Sequence, residues 1–286
     1  MEVTKQQQWE TVIEPKKELL STNWGEMWRY RDLLRMIIKR DIVTVYKQTV
    51  LGPVWFVIQP IMTTFIYMFV FGKVAKLSTD GIPPILFYLA GITMWNYFSE
   101  CFNKTSVTFK SNAGLFGKVY FPRLIIPVAK ATSGLIKYLI QFVFFMAVYA
   151  YVVFGTGNEA VQPGWQVVLL PVLLLIMAGL GLGLGLIFTS LTTKYRDFTF
   201  VLEFGVRLLM YATPVIYPLS TIPDEYKVYV MANPMTGVLE TFKFAFLGAG
   251  MFSWGLLGYS AAFTIILLYV GIVIFNKTER TFMDTV

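Results

Sequence analysis

Residues 165–191 read WQVVLLPVLLLIMAGLGLGLGLIFTSL, a run of 27 residues without a charge. A bilayer's hydrocarbon core is about 30 Å thick and needs about 20 apolar residues in a helix. This stretch is therefore long enough to cross a membrane. Its glycines, Gly179, Gly181, Gly183 and Gly185, alternate with leucines. On a helix, 179/183 and 181/185 form two overlapping small-residue faces that let neighbouring helices approach closely. Tight packing is the first expectation for them, and a hinge or bend the second.

The rest of the chain has the same character. It is 56% hydrophobic and 14% charged over 286 residues, whereas a soluble domain is about a quarter charged. Five more apolar stretches follow the same reading: 53–72, 82–98, 124–154, 198–217 and 252–275. The third has its uncharged part at 138–154 and the fifth contains Glu203 and Arg207. The expected fold class is an all-α integral membrane protein with six transmembrane helices. The expected domains are a cytoplasmic arm (1–52), a six-span unit (53–275) and a cytoplasmic tail (276–286). Residues 1–23 are polar and lack an apolar core or cleavage site, so no signal peptide is read there.

Charge placement sets the orientation. With six spans both termini share a side. That side carries seventeen Lys and Arg, including Lys5, Lys16, Arg29, Arg31, Lys104, Lys110 and Arg123. The other carries four: Lys73, Lys76, Lys227 and Lys243. The positive-inside rule then places both termini in the cytoplasm. Lys130 and Lys137 fall inside the third stretch and share a helical face; snorkelling toward phosphates accounts for Lys130, less easily for Lys137.

Before the first span, residues 24–39 are amphipathic at about 100° per residue. Met27, Tyr30, Leu33, Leu34, Ile37 and Ile38 gather on one side, and Arg29, Asp32, Arg35, Lys39 and Arg40 on the other. Such a helix lies in the membrane interface with its basic face toward lipid phosphates or a cytosolic partner. A surface helix of a small soluble cap would share the pattern. Between the fifth and sixth stretches, prolines 214, 218, 223 and 234 break an apolar segment. Two short re-entrant or interfacial helices fit it, one before Pro218 or over 226–231 and one over 234–247. Non-helical backbone at membrane depth survives only where protein or a water-lined cavity shields it.

Several chemistries are excluded. There is no histidine and one cysteine, Cys101. His-based acid–base catalysis, a cysteine zinc cluster and an internal disulfide are therefore absent. No GxxxxGK[ST] loop is present; the nearest match, Gly114 to Lys118, has the wrong spacing. Acids are scattered (Asp41, Glu100, Asp197, Glu203, Asp224, Glu225), and Asp224-Glu225 reads as a helix N-terminus. A membrane glycosyl or phosphoglycosyl transferase, which needs clustered carboxylates, is the weaker reading. Glu203 and Arg207, at i and i+4 with the acid first, have the favourable order for an ion pair; structural pairing and a place on a polar cavity both fit.

The chain resembles the membrane subunit of ABC-2 type exporters, in the branch that moves polysaccharides such as O-antigen or teichoic acid. The resemblance rests on Tyr30-Arg-Asp-Leu-Leu through Arg40-Asp41, Tyr46-Lys47, Leu51-Gly-Pro-Val-Trp55 and Gln59-Pro60. It continues through Asn112…Leu115…Lys118-Val-Tyr-Phe-Pro122-Arg123, Tyr195-Arg-Asp197, Thr213-Pro-Val-Ile-Tyr-Pro218 and Asn233-Pro-Met-Thr236. Lys243 departs from it, standing where an arginine is expected.

The resemblance implies a bacterial cytoplasmic (inner) membrane permease, multi-pass and not an enzyme. It pairs with a second copy and with two ATP-binding cassette subunits. No cofactor is expected in this chain; ATP and Mg belong to the partner, and neither a catalytic nor a metal site nor a nucleic acid is expected. Asn112, Leu115, Phe116, Lys118, Arg31 and Arg35 are expected to couple to the ATPase. Arg29, Lys39, Arg40 and Lys47 are expected to meet membrane lipids and the diphosphate of a polyprenyl-diphosphate-linked glycan. Trp55, Tyr67, Glu203, Arg207, Tyr217, Pro218 and Asn233 are expected at a conduit or gate. An ABC-2 exporter of drugs, lipids or teichoic acid is the alternative.

Overall fold

The computed structural model describes residues 24–47, 52–116, 121–155, 157, 161–195 and 197–283, and all regular structure among them is helical. The uncharged run of residues 165–191 becomes α7 (Leu170–Lys194), entered through a 3-10 turn, Trp165–Leu169. It packs against α4 (Pro84–Ser106) on one flank and α11 (Trp254–Met283) on the other. The glycines explain both contacts. A Cβ on Gly181 would stand 2.6 Å from Cys101 Cβ, and one on Gly185 2.5 Å from Thr105 Cβ, both on α4. A Cβ on Gly183 would stand 2.9 Å from Leu267 Cγ, and Gly179 faces Thr264, both on α11. The two small-residue faces thus seat two different helices, as the tight-packing expectation has it.

Four helical stretches are long and apolar enough to cross a bilayer: Trp55–Val74, Ile125–Gly155, Trp165–Lys194 and Trp254–Glu279. The first joins α3 (Trp55–Tyr67) to a π-helical stretch, Met68–Val74. The second joins α6 (Ile125–Ala150) to another, Tyr151–Gly155. The other two expected spans differ from this set for separate reasons. α4 holds residues 84–98 of the expected 82–98 span in its first part, but Glu100 and Lys104 lie farther along the same helix. It is a buried helix: every residue from Leu86 to Trp95 is enclosed by protein. α8 (Phe198–Tyr211) has 14 residues, about 21 Å at 1.5 Å per residue, and stops before Pro214. A proline lacks the N–H and disfavours helical geometry in the residue before it.

The amphipathic segment forms α1 (Trp24–Arg29) and α2 (Arg31–Tyr46), broken at Tyr30; nothing in the sequence explains that break. Its apolar stripe packs on protein. Ile37 is buried with Phe109, Phe116, Phe121, Ile125, Ile126 and Phe275, and Met27, Tyr30, Leu33, Leu34 and Ile38 pack around this cluster. α5 (Thr108–Phe116) supplies Phe109 and Phe116. At the opposite end of α4 stand α9 (Asp224–Met231) and α10 (Pro234–Leu247), helices over both expected segments. α10 starts with proline at its first position, where the missing N–H costs nothing. It ends at Gly248, whose φ of +72° suits the left-handed cap that glycine adopts without strain.

Candidate functional site

The residues of interest fall at the two ends of α4. The end near Ser106 gathers α2, α5 and the last turns of α11. Arg29, Arg31, Arg35, Lys39, Arg40 and Lys47 are all exposed there. Arg35 is 3.4 Å from Asp32, both mostly in solvent, a pairing worth little. A basic, open surface results, suited to anions or to an acidic partner surface.

In the neighbouring α5, two of the residues expected to couple to the ATPase, Asn112 and Phe116, turn inward. Asn112 is buried and its Nδ2 donates to the Thr108 carbonyl (2.9 Å) and to Ser111 Oγ (3.0 Å). Its φ of −125° bends the helix. Phe116 is buried against Phe109 and Phe121, with the Arg123 guanidinium 5.2 Å from its ring centre. Arg123 in turn donates to the Glu279 carbonyl at 3.0 Å, tying the loop to α11. Lys110, Ser111 and Gly114 are exposed and Leu115 is half-buried. Lys118 lies outside the described residues, as do the first 23 residues and the last three.

At the other end, Asn233 caps α10: its Oδ1 accepts from the Met235 N–H (3.0 Å) and its Nδ2 donates to Thr213 Oγ1 (2.9 Å). Tyr217 OH donates to the Tyr211 carbonyl at 2.9 Å, and Pro218 is buried. The Val215 carbonyl sits against Gly91 of α4, where a Cβ would come within 2.6 Å. Ser220 Oγ donates to both oxygens of Asp80, at 2.7 and 2.9 Å. Lys243, the departure from the family pattern, is fully buried. Its ammonium donates to the Pro214 carbonyl, lies 3.8 Å from Glu240 and 4.0 Å from the Phe87 ring centre. On exposed α9 the hydrogen bond from Lys227, at 2.7 Å, holds the Asp224 carboxyl below the usual range.

Trp55 is half-exposed on α3, while Tyr67 turns inward and its hydroxyl meets Met210 Sδ of α8 at 3.6 Å. On α8, Leu202 and Val206 face the protein. Glu203 and Arg207 are exposed on the other side with Phe200, Phe204 and Leu208. Among the described residues, no ion pair joins Glu203 to Arg207, although their spacing allows it.

The two lysines of α6 find acids on other helices. Lys130 Nζ is 2.7 Å from Asp41 Oδ2, and Lys137 Nζ is 3.0 Å from Glu100 Oε2. Both lysines turn inward to acids, so snorkelling does not describe them. The available signal was the shared face of Lys130 and Lys137; the partners, on other helices, left no local trace.

With this geometry in hand, comparison with known proteins is specific. A family model described as ABC-2 type transporter matches residues 32–247. The chain belongs to this family. The ABC-2 chain is similar along nearly its whole length to proteins named for O-antigen export, polysialic acid transport and capsule polysaccharide export. It is 27% identical to the O-antigen export system permease protein RfbA of Myxococcus xanthus over 263 residues, which is 91% of this chain and 98% of that one. It is 26% identical to the polysialic acid transport protein KpsM of Escherichia coli, covering 86% and 93%. It is 20% identical to the capsule polysaccharide export inner-membrane protein CtrC of Neisseria meningitidis serogroup A, covering 92% and 98%. With four bilayer-length apolar helices, the ABC-2 chain is a multi-pass membrane transport protein.

Proposed function

We propose that the chain is the membrane subunit of an ATP-driven exporter that carries a polyprenyl-diphosphate-linked polysaccharide across the bacterial cytoplasmic membrane. The observation that carries this reading is the near end-to-end similarity to permeases named for O-antigen and capsule export. Six spans complete the topology, with α4 crossing inside the protein assembly, α8 crossing only together with residues 212–217, and α9 and α10 entering the outer leaflet. The basic surface of α2 supports cytoplasmic termini.

ATP and Mg are held by two partner subunits, since this chain offers no phosphate loop. Arg31, Arg35, Leu115 and the neighbouring Lys118 meet those subunits, with Asn112 and Phe116 acting from beneath as the support of α5. Arg29, Lys39, Arg40 and Lys47 meet lipid phosphates and the diphosphate of the carrier. Charged residues exposed on a membrane helix are costly unless hydrated or paired. Glu203 and Arg207 therefore face a hydrated conduit between two copies of the chain. Trp55, Tyr217 and Asn233 border that conduit, and Tyr67 and Pro218 pack behind them.

Deleting the gene in its own host and following the surface glycan tests the reading. The expected result is loss of surface glycan with accumulation of its lipid-linked form inside, restored by the gene together with that of an ATP-binding subunit. Unchanged surface glycan, with altered sensitivity to toxic small molecules, would replace it with drug export.

A further inference from the structure

α6 presents a narrow polar stripe to three different helices. Lys130, Lys137 and Gln141 stand seven and four residues apart, within about 40° of arc and along about 16 Å of helix. Lys130 reaches Asp41 of α2, whose side chain is only 9% exposed; the other Asp41 oxygen takes Arg40 at 3.0 Å. Lys137 reaches Glu100 of α4, and its ammonium lies 5.1 Å from the ring centre of Phe56 on α3. Gln141 accepts from Asn96 of α4 at 3.3 Å and donates to the Phe56 carbonyl at 3.1 Å.

An enclosed ion pair is a poor source of stability, because desolvating the charges offsets most of their attraction; its better-attested use is to fix register. Two ion pairs and one hydrogen-bonded amide on one helical face fix the register of α2, α3 and α4 against one rod. Phe56 lies in the first turn of α3, the next α-helix after α2, entered through a 3-10 turn at Gly52–Val54. α2 and α3 are thus held to the same face of α6 at neighbouring points.

We propose that this stripe is a strut that makes α2, α3 and α4 move as one body with α6, and that Asp41–Lys130 is the rung through which displacement of α2 enters. The proposal rests on the reading of α2 as a docking element for an ATP-binding subunit. Asp41 and Lys130 are positioning residues: they touch neither nucleotide nor glycan. An intact strut passes a push on α2 to α3, the helix bearing Trp55 and Tyr67. A broken one lets α2 shift alone, and hydrolysis runs without transport.

The test uses the full complex of this chain with its ATP-binding subunit, purified from the export host, with export followed in parallel as surface glycan. Asp41→Lys and Lys130→Asp are each expected to keep ATP hydrolysis per complex within about twofold and to lower export about tenfold, inside the range of ordinary coupling between sites. The swap D41K/K130D is expected to regain most of the export. If either single variant fails to assemble, the uncharged pair D41L/K130M fills the same space and is read instead, with the same uncoupling expected. Assembled single variants or an uncharged pair that export as the unmodified chain does would overturn the strut, and so would an assembled swap that stays inactive. An unmodified chain that retains no ATP-binding subunit would refute docking on α2 itself, a result visible before any variant is made.

Discussion

Replacing Gly181 by alanine tests the packing at the centre of the molecule. The new Cβ would lie 2.6 Å from Cys101 Cβ and 3.1 Å from the Phe98 carbonyl oxygen. Carbon atoms rest at about 3.5–4.0 Å, so α7 and α4 must separate by about 1 Å. Neither obstacle is a flexible side-chain end. Overpacking of this kind costs about 1–3 kcal/mol, and the higher helix propensity of alanine returns at most about 1 kcal/mol. The expected net loss for the single variant is about 1–2 kcal/mol.

Pairs of variants sharpen the test. Gly181 and Gly185 both face α4, so one displacement relieves both clashes and G181A/G185A should cost less than the sum of its parts. Gly183 faces α11, so G181A/G183A needs two displacements and should cost close to the sum. Gly258→Ala in α11, with nothing within 4 Å of the added methyl, is the control and should be neutral or slightly stabilising. Unfolding in mild detergent, by heat or by titration with a denaturing detergent, measures each. The reasoning fails if G181A is as stable as G258A, or if the two double variants show equal coupling.

Other perturbations read other parts of the structure. Lys243→Met strips the cation from the buried Glu240 carboxylate and should cost about 3–5 kcal/mol; adding Glu240→Gln should recover most of it, and equal thermal stability of the single variant and the parent would contradict this. Asn233→Ala removes the cap of α10 and should cost about 1 kcal/mol, seen as a lower midpoint in a thermal scan. Asn233→Asp keeps the acceptor for Met235 but loses the donation to Thr213, and should fall between the two. Cys101 of α4 is fully enclosed, against Gly181 of α7 and Gly134 of α6, so a water-soluble maleimide should label it only after denaturation; labelling of the folded protein would refute the close approach.

What the sequence made legible was local. The alternating glycines announce two seats for neighbouring helices because side-chain direction on a helix follows from spacing alone. The stripe from Met27 to Ile38 finds its core for the same reason, and Pro234 and Gly248 mark where α10 begins and ends. What remained hidden was long-range. Nothing near Lys130 or Lys137 names Asp41 or Glu100, which come from other helices, and the burial of Asn112 and Phe116 depends on α2 and α11 folding over them. The length of α8 lies between these cases: Pro214 carried the stop signal, but apolar residues beyond it made the stretch read as a longer span.

α8 also bears on how the protein must be made. Its exposed flank sets Glu203 and Arg207 among Phe200, Phe204 and Leu208, a mixed surface that lipid alone solvates poorly. On the proposed reading, in which this flank faces a second copy, a lone chain has no comfortable environment for the helix during insertion. Assembly then becomes part of maturation, and the cellular level of the chain should follow the supply of whatever covers that flank rather than its own rate of synthesis.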